Sequence, residues 1–167
     1  EMTQELKDQA VLITGGAQGI GRAIAEELLA GGAKVAIADV NAEKVQATAA
    51  ELAARGTVLA LTGNVAASAD ADALVAAVVK EWGRIDVLVN NAGITRDGLA
   101  MRMKDEDWNL VLSVNLTGSF YCARAAVRTM LRQRAGRIIN IASVVGVIGN
   151  AGQVNYAATK AGVIVMT

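Results

Sequence analysis

Tyr156 and Lys160 stand four positions apart in the segment NYAATKAG, and Ser143 lies thirteen residues before the tyrosine. Positions i and i+4 share one face of a helix, so the Lys160 ammonium would lie beneath the Tyr156 phenol. A cation at that place would stabilise the phenolate and make the phenol a general acid. The spacing therefore predicts a proton donor in a chain without histidine. The alternative is a half-buried aromatic ring beside a solvated lysine.

Composition excludes several other kinds of site. The chain has 167 residues, of which 53% are hydrophobic, and its 16 basic and 16 acidic side chains cancel. No overall field therefore favours nucleic acid or a membrane surface. Cys122 is the only cysteine and histidine is absent, which excludes an internal disulfide, the usual zinc sites and histidine-dependent nucleophiles. We expect Cys122 to be a small core residue and expect no metal site.

The distribution of apolar residues along the chain bears on the cellular location of the protein. We find no apolar run of membrane-spanning length and no charged start followed by an apolar stretch. A cytoplasmic protein is the resulting expectation.

Short β-branched runs alternate with longer helical segments, as in repeated βαβ units. Predicted strands cover 10–14, 34–39, 57–65, 84–93 and 137–143. Predicted helices cover 20–30, 42–55, 72–83 and 105–132, and a further helix carries Tyr156 and Lys160. Nearly continuous apolar strands belong to a parallel sheet that is covered on both faces. The pattern predicts an α/β protein with a Rossmann-type, doubly wound parallel sheet, as one domain over 1–167.

A glycine-rich segment, TGGAQGIG at 14–21, follows the first predicted strand and opens a helix. Glycines let the backbone approach a pyrophosphate, and the helix N-terminus offers amide donors. A tight strand-to-helix turn is the alternative. Asp39 ends the second strand and would accept hydrogen bonds from an adenosine ribose while repelling a 2′-phosphate, which favours NAD(H). Gln18 brings no positive charge, but Arg22 could reach a phosphate, so NADP(H) stays open. The alternative role for Asp39 is that of a helix cap or a solvated turn residue.

Four separated motifs together resemble the short-chain dehydrogenase/reductase family over essentially the whole chain. They are the glycine segment with Thr14, Gly15, Gly19 and Gly21; Asn64 and Val65; Asn90, Asn91, Ala92 and Gly93; and Asn115, Ser143, Tyr156 and Lys160. The resemblance implies that Ser143 binds a substrate carbonyl, Tyr156 protonates it, Lys160 assists and holds the nicotinamide ribose, and Asn115 positions a water. It implies cofactor contacts from Gly15, Gln18, Gly19, Ile20, Gly21, Asp39, Asn64, Val65, Asn91, Ala92, Gly93, Tyr156 and Lys160.

Within the family the chain looks most like the 3-oxoacyl-(acyl carrier protein) reductases of fatty acid synthesis, through 94–108 and 136–162. Dehydrogenases of other alcohols, polyols or hydroxyacyl-CoA substrates share much of this pattern. Asp39 departs from the NADPH preference common in the fatty acid enzymes. The resemblance also implies a homotetramer and two further C-terminal strands, so we expect a truncated chain. A non-catalytic dinucleotide-binding fragment is the alternative of another class.

A cluster of arginines surrounds the predicted end of the long helix. It consists of Arg128, Arg132, Arg134 and Arg137. A solvated helix end, where cations suit the helix dipole, is one interpretation. The other is a docking patch for the acidic helices of acyl carrier protein.

Overall fold

A five-stranded parallel sheet forms the centre of the computed structural model, which describes residues 6–166. The strands are β1 (Ala10–Thr14), β2 (Lys34–Asp39), β3 (Val58–Thr62), β4 (Val87–Asn90) and β5 (Arg137–Asn140). Their order in the sheet is β3-β2-β1-β4-β5. This is the doubly wound, Rossmann-type order, in which strands are added on one side of β1 up to β3 and on its other side from β4 onward. The predicted fold class is confirmed.

Helices cover both faces of the sheet. They are α1 (Gly19–Ala30), α2 (Ala42–Leu52), α3 (Ser68–Trp82), α4 (Asp105–Leu112), α5 (Gly118–Gln133), the single turn α6 (Val145–Ile148) and α7 (Val154–Val165), with a short 3₁₀ turn at Ala100–Arg102. Neighbouring residues of a strand point to opposite faces. Leu12 accordingly belongs to the core cluster shared with α3 and α5, and Ile13 to the one shared with α1 and α2. Both side chains are fully buried.

Three predicted strands extend too far at their carboxyl ends. The segments 57–65, 84–93 and 137–143 are strands only over Val58–Thr62, Val87–Asn90 and Arg137–Asn140. Beyond these points the chain turns to form loops at one edge of the sheet. Two helix boundaries also differ, because α2 ends at Leu52 rather than residue 55 and α3 already begins at Ser68. The predicted strand ends include Gly63, Asn64, Asn91 and Gly93, which belong to the loops, so the sequence pattern alone overestimates the strands.

The long helix predicted over 105–132 contains a π-helical turn at Ser113–Thr117, between α4 and α5. The turn was not predicted. Contrary to expectation, the continuous segment Asp105–Gln133 is long and apolar enough to cross a membrane, because it contains an 18-residue window with a mean hydropathy of 1.3. Core helices pass the same test, and Cys122 and Ala126 of α5 are fully buried in the core. Burial, with a smaller effect of Asp72, raises the pKa of the Cys122 thiol to about 12, as expected of a core residue.

Candidate active site

A cleft of about 710 Å³ lies at the carboxyl edge of the sheet. Its volume falls within the range of ligand-binding pockets. Its lining includes Gly15, Gln18, Ile20, Asp39, Asn64, Val65, Asn91, Ala92, Gly93, Ser143, Tyr156 and Lys160, all of them predicted site residues. Gly19, Gly21 and Asn115 are predicted site residues outside this lining. The strand order reverses between β1 and β4, and a crevice opens at the carboxyl ends of the strands at such a point.

The glycine segment turns sharply between β1 and α1 because two of its residues adopt left-handed backbone conformations. Gly15 has φ +63° and Gly19 has φ +54°, values that favour glycine. A Cβ atom at Gly21 would lie 2.3 Å from the carbonyl oxygen of Gly15 and 2.5 Å from Nδ2 of Asn91. The first helical turn therefore packs directly against the loop backbone.

Asn91 fastens this loop to the end of β4. Its Nδ2 donates hydrogen bonds to the carbonyl oxygens of Thr14 and Gly15, each at 3.0 Å. The Thr14 hydroxyl in turn accepts from the backbone N–H groups of Asn91 and Ala92, both at 3.1 Å. The family resemblance implies a cofactor contact for Asn91. Asn91 gives support through these bonds and also lines the cleft.

The start of α1 fits the phosphates of a dinucleotide. No side chain caps its N-terminus and no acidic residue lies in its first turn, so amide donors and the positive end of the helix dipole remain for an anion. A Cβ atom at Gly19 would meet nothing within 4 Å. The space in front of this turn is therefore open, and the surrounding residues fit a pyrophosphate group.

Asp39 lies at the other side of the glycine segment, at the end of β2. Its Oδ1 accepts a hydrogen bond from the backbone N–H of Asn41 at 3.1 Å. The cap of α2 is Asn41 itself, whose side chain accepts from the N–H of Lys44 at 2.9 Å. Within residues 6–166, Oδ2 of Asp39 makes no hydrogen bond. Asp39 thus orders the turn before α2 and keeps one carboxylate oxygen for a ligand.

Tyr156 and Lys160 point into the same cleft from α7. The Lys160 Nζ atom lies 5.6 Å from the centroid of the Tyr156 ring and donates a 2.5 Å hydrogen bond to the carbonyl oxygen of Ile141. Only 6% of Lys160 is exposed, and this burial lowers its pKa. The separation is within the range of a cation–π contact. The ammonium therefore lies near the Tyr156 ring and is hydrogen-bonded to a backbone carbonyl, and its effect on the phenol stays a prediction.

Ser143 follows β5 and faces the cleft beside these two residues. Its Oγ accepts a hydrogen bond from the N–H of Val145 at 3.3 Å. Because this contact uses an oxygen lone pair, the hydroxyl hydrogen remains available to a substrate carbonyl.

Asn115 sits in the π-helical turn and is 1% exposed. Its Oδ1 accepts from the N–H of Ile94 at 2.8 Å, and its Nδ2 donates to the carbonyl of Ile94 at 2.9 Å. Nδ2 also approaches the Thr159 hydroxyl at 3.3 Å. The side chain therefore joins the loop after β4 to α7. Its predicted role in holding a water stays a prediction.

The sequence model of the family described as short chain dehydrogenase matches residues 9–167. The chain belongs to the short chain dehydrogenase family.

Three relatives of similar sequence are each named 3-oxoacyl-(acyl-carrier-protein) reductase. The 3-oxoacyl-(acyl-carrier-protein) reductase FabG of Staphylococcus aureus is 49% identical over 161 residues, covering 95% of this chain and 65% of the relative. The 3-oxoacyl-(acyl-carrier-protein) reductase of Synechocystis is 49% identical over 164 residues, covering 97% of this chain and 66% of the relative. FabG of Escherichia coli is 50% identical over 153 residues, covering 92% and 62%. The chain thus spans about two thirds of the length of these relatives.

Sequence reasoning missed one residue that positions Tyr156 in this short chain dehydrogenase. Asn155 is fully buried, its Nδ2 donates to the carbonyl of Arg96 at 2.9 Å, and its Oδ1 accepts from the N–H of Tyr156 at 2.8 Å. The first turn of α7 is thereby fixed to the loop after β4. An asparagine inside a helix, where it is a poor helix former, was the available signal. Residues 6–166 contain no cluster of acidic and cysteine side chains able to hold a metal ion.

Proposed function

We propose that this chain forms the catalytic, dinucleotide-binding part of an NAD(P)-dependent reductase. Its substrate would be a 3-oxoacyl thioester on acyl carrier protein, and its product the 3-hydroxyacyl form made in fatty acid biosynthesis. The observation that carries the proposal is a single cleft with an open glycine turn at one end and Ser143, Tyr156 and Lys160 at the other. Relatives of about 50% identity named 3-oxoacyl-(acyl-carrier-protein) reductase support the choice of substrate.

A reduced nicotinamide, when bound, supplies the hydride that goes to the carbonyl carbon. Three residues of the chain act on the carbonyl oxygen of the substrate. Ser143 donates a hydrogen bond to the substrate carbonyl and stabilises the negative charge that develops there. Tyr156 transfers its phenolic proton to that oxygen, so the ketone becomes an alcohol and the phenolate remains. Lys160, buried below the ring, stabilises this phenolate by its charge.

The proposed preference of the site is for NAD(H). The support is Asp39, which lines the cleft and keeps one free carboxylate oxygen for ribose hydroxyls. A 2′-phosphate at the same place would meet a like charge. NADP(H) remains the second cofactor to be tested.

Carrier docking is the second part of the proposal. Arg128, Arg132, Arg134 and Arg137 are exposed around the end of α5 and the start of β5. Arg134 and Arg137 line an apolar groove of about 550 Å³ together with Leu131, which is 72% exposed, and Arg128 lies 3.9 Å from Asp72. Acidic helices of a carrier protein would be attracted to the arginines, and the groove would accept apolar side chains. We also propose one domain, a homotetramer and a cytoplasmic location, on the resemblance to the family.

The deciding experiment measures oxidation of NADH and of NADPH with an acetoacetyl thioester. We expect turnover by the parent protein and a loss of about 10²- to 10⁴-fold in kcat for Tyr156→Phe, because the proton donor is removed. Tyr121→Phe changes the other tyrosine, on α5, and is the matched control.

Cofactor binding by both variants must be measured in parallel. Nucleotide binding without turnover in the parent would overturn the reductase and support a non-catalytic binding protein. Turnover of simple alcohols or polyols alone would instead indicate a dehydrogenase of another substrate.

A further inference from the structure

The loop after β4, residues 94–104, lies beside the catalytic end of the cleft. Thr95 of this loop lines the cleft. The next carbonyl, that of Arg96, accepts a hydrogen bond at 2.9 Å from Nδ2 of Asn155, the residue before Tyr156. The loop therefore begins within the site and is fixed to the helix that carries the proposed proton donor.

Two further contacts hold the loop against the segment that leads into α7. The N–H of Gly98 donates to the carbonyl of Gly152 at 2.8 Å. Nε2 of Gln153 donates to both carboxylate oxygens of Asp97, at 3.1 and 3.2 Å. Asp97 is the one acid between residues 94 and 104, and its carboxylate is thus engaged by a neutral amide.

Two exposed arginines of this loop keep most of their N–H donors free. The Arg96 guanidinium donates from Nη1 to the carbonyl of Thr95 at 2.9 Å, which places it against a residue of the cleft lining. An arginine has five N–H donors. Within residues 6–166 neither Arg96 nor Arg102 forms an ion pair. Lys104 differs, because three acids follow it in the first turn of α4.

Exposed apolar side chains lie between the two arginines in the chain. Leu99 is 56% exposed and Met101 is 86% exposed, and both belong to the short 3₁₀ turn and its start. An apolar surface flanked by cations fits a ligand that is apolar along its length and anionic at one end. The pantetheine arm of acyl thioesters has this character, because its methyl and methylene groups end in a phosphate ester.

We propose that Arg96 and Arg102 bind the phosphate at the end of a pantetheine arm. The inference rests on the proposed function, because the thioester of that substrate is carried by such an arm. The guanidinium groups donate paired hydrogen bonds to the phosphate oxygens. Leu99 and Met101 pack against the apolar part of the arm, while the thioester end lies at Tyr156. The site is separate from the arginines around the end of α5, which precede β5 at the opposite edge of the sheet.

The test compares pantetheine with 4′-phosphopantetheine, two probes that differ in the phosphate alone, in titrations followed by NMR. For Arg96→Gln and for Arg102→Gln we expect the preference for the phosphorylated probe to fall about two- to fivefold, the size of one exposed charge pair. The double variant should lose more. Added salt should reduce the preference of the parent protein. Lys80→Gln removes an exposed charge in the last turn of α3 and is the matched control.

Coenzyme A and holo acyl carrier protein both present this phosphate, and titrating each of them separates the two sources. Weaker binding of the carrier protein by the double variant supports a carrier-bound substrate, and weaker binding of coenzyme A alone supports a coenzyme A thioester at the same arginines.

An unchanged preference for 4′-phosphopantetheine in the double variant would overturn the inference. Equal weakening of both small probes would also overturn it, because the arginines would then act on the loop and not on the phosphate. The titrations need no turnover. Failure of the parent protein to reduce an acetoacetyl thioester would therefore overturn the proposed function separately.

Discussion

Single residues at the site serve both chemistry and architecture. Lys160 shows this most clearly, because its ammonium lies near the Tyr156 ring while also donating to the carbonyl of Ile141 after β5. The bond fixes α7 against the end of the sheet. Asn115 and Asn155 use their amides in the same way on the loop after β4. Polar bonds from Lys160 and Asn155 thus connect α7, which carries the proposed proton donor, to the loops after β5 and β4.

The burial of Lys160 predicts how stability depends on pH. Burial lowers its pKa from the ordinary value of 10.5, so between the lowered value and 10.5 the unfolded chain binds a proton that the folded chain has released. The free energy of unfolding should therefore rise with pH in that window, because the cost of burying the ammonium is relieved. Below the window the full cost applies.

Denaturant titrations of the parent protein and Lys160→Met from about pH 7 to pH 10.5 check this, since other ionisations cancel in the comparison. The parent should gain stability relative to the variant as pH rises. Lys80→Met, at an exposed position, serves as control. Parallel curves for the parent and Lys160→Met would contradict the prediction.

At the scale of elements, close packing between loops and helices shapes the cofactor end of the cleft. Gly21 in α1, the Gly15 turn and Asn91 after β4 meet within van der Waals contact. A loop and a helix also pack closely at the π-helical turn Ser113–Thr117, which places Asn115 against the backbone of Ile94. These meeting points come from different βα units and depend on the sheet that brings them together.

Gly21→Ala should disrupt this meeting point. The added methyl group would clash with the Gly15 carbonyl and the Asn91 amide, which cannot both move without losing their hydrogen bonds. We expect a loss of about 1–3 kcal/mol in the free energy of unfolding, with weakened binding of 5′-AMP.

Gly98→Ala is the matched control, because a Cβ atom there would meet nothing within 4 Å. Its stability should stay within about 0.5 kcal/mol of the parent. Equal stability of the parent and Gly21→Ala would show that the loop is looser than this packing requires.

At the scale of the whole molecule, charge is balanced overall but unevenly distributed. The net charge is +0, yet four arginines lie together at the end of α5 and the start of β5. Encounter with an acidic carrier therefore depends on this local patch and not on the total charge.

Arg132→Glu combined with Arg134→Glu should reduce kcat/KM for the carrier-bound substrate by about tenfold or more, because charge mainly speeds encounter. The neutral substrate acetoacetyl-N-acetylcysteamine should lose far less. Lys7→Glu with Lys80→Glu makes the same change of charge at exposed positions elsewhere. An equal loss with both substrates in the arginine variant would argue against docking at this patch.

Much of the architecture was predictable, but its details were not. Strands β1 and β2 were predicted with their observed bounds, because each is a buried apolar run that ends at a turn signal. The ends of β3, β4 and β5 were placed too late, because the sequence does not show where each strand leaves the sheet. The π-helical turn and α6 were missed, because both depend on contacts with distant segments. Asn155 begins the segment NYAATKAG but was missed, because its bond to the carbonyl of Arg96 depends on the fold.

The amino-acid sequence by itself determined the order of strands and helices, the glycine turn and the i, i+4 pair of Tyr156 and Lys160. Local periodicity, backbone preference and helical spacing are properties of neighbouring residues, so they can be read along the chain. Only the tertiary structure decided that the Lys160 ammonium binds the Ile141 carbonyl and that Asn115 bonds to Ile94. Those contacts join residues far apart in sequence, and the parallel sheet brings them together by gathering its strand ends at one edge.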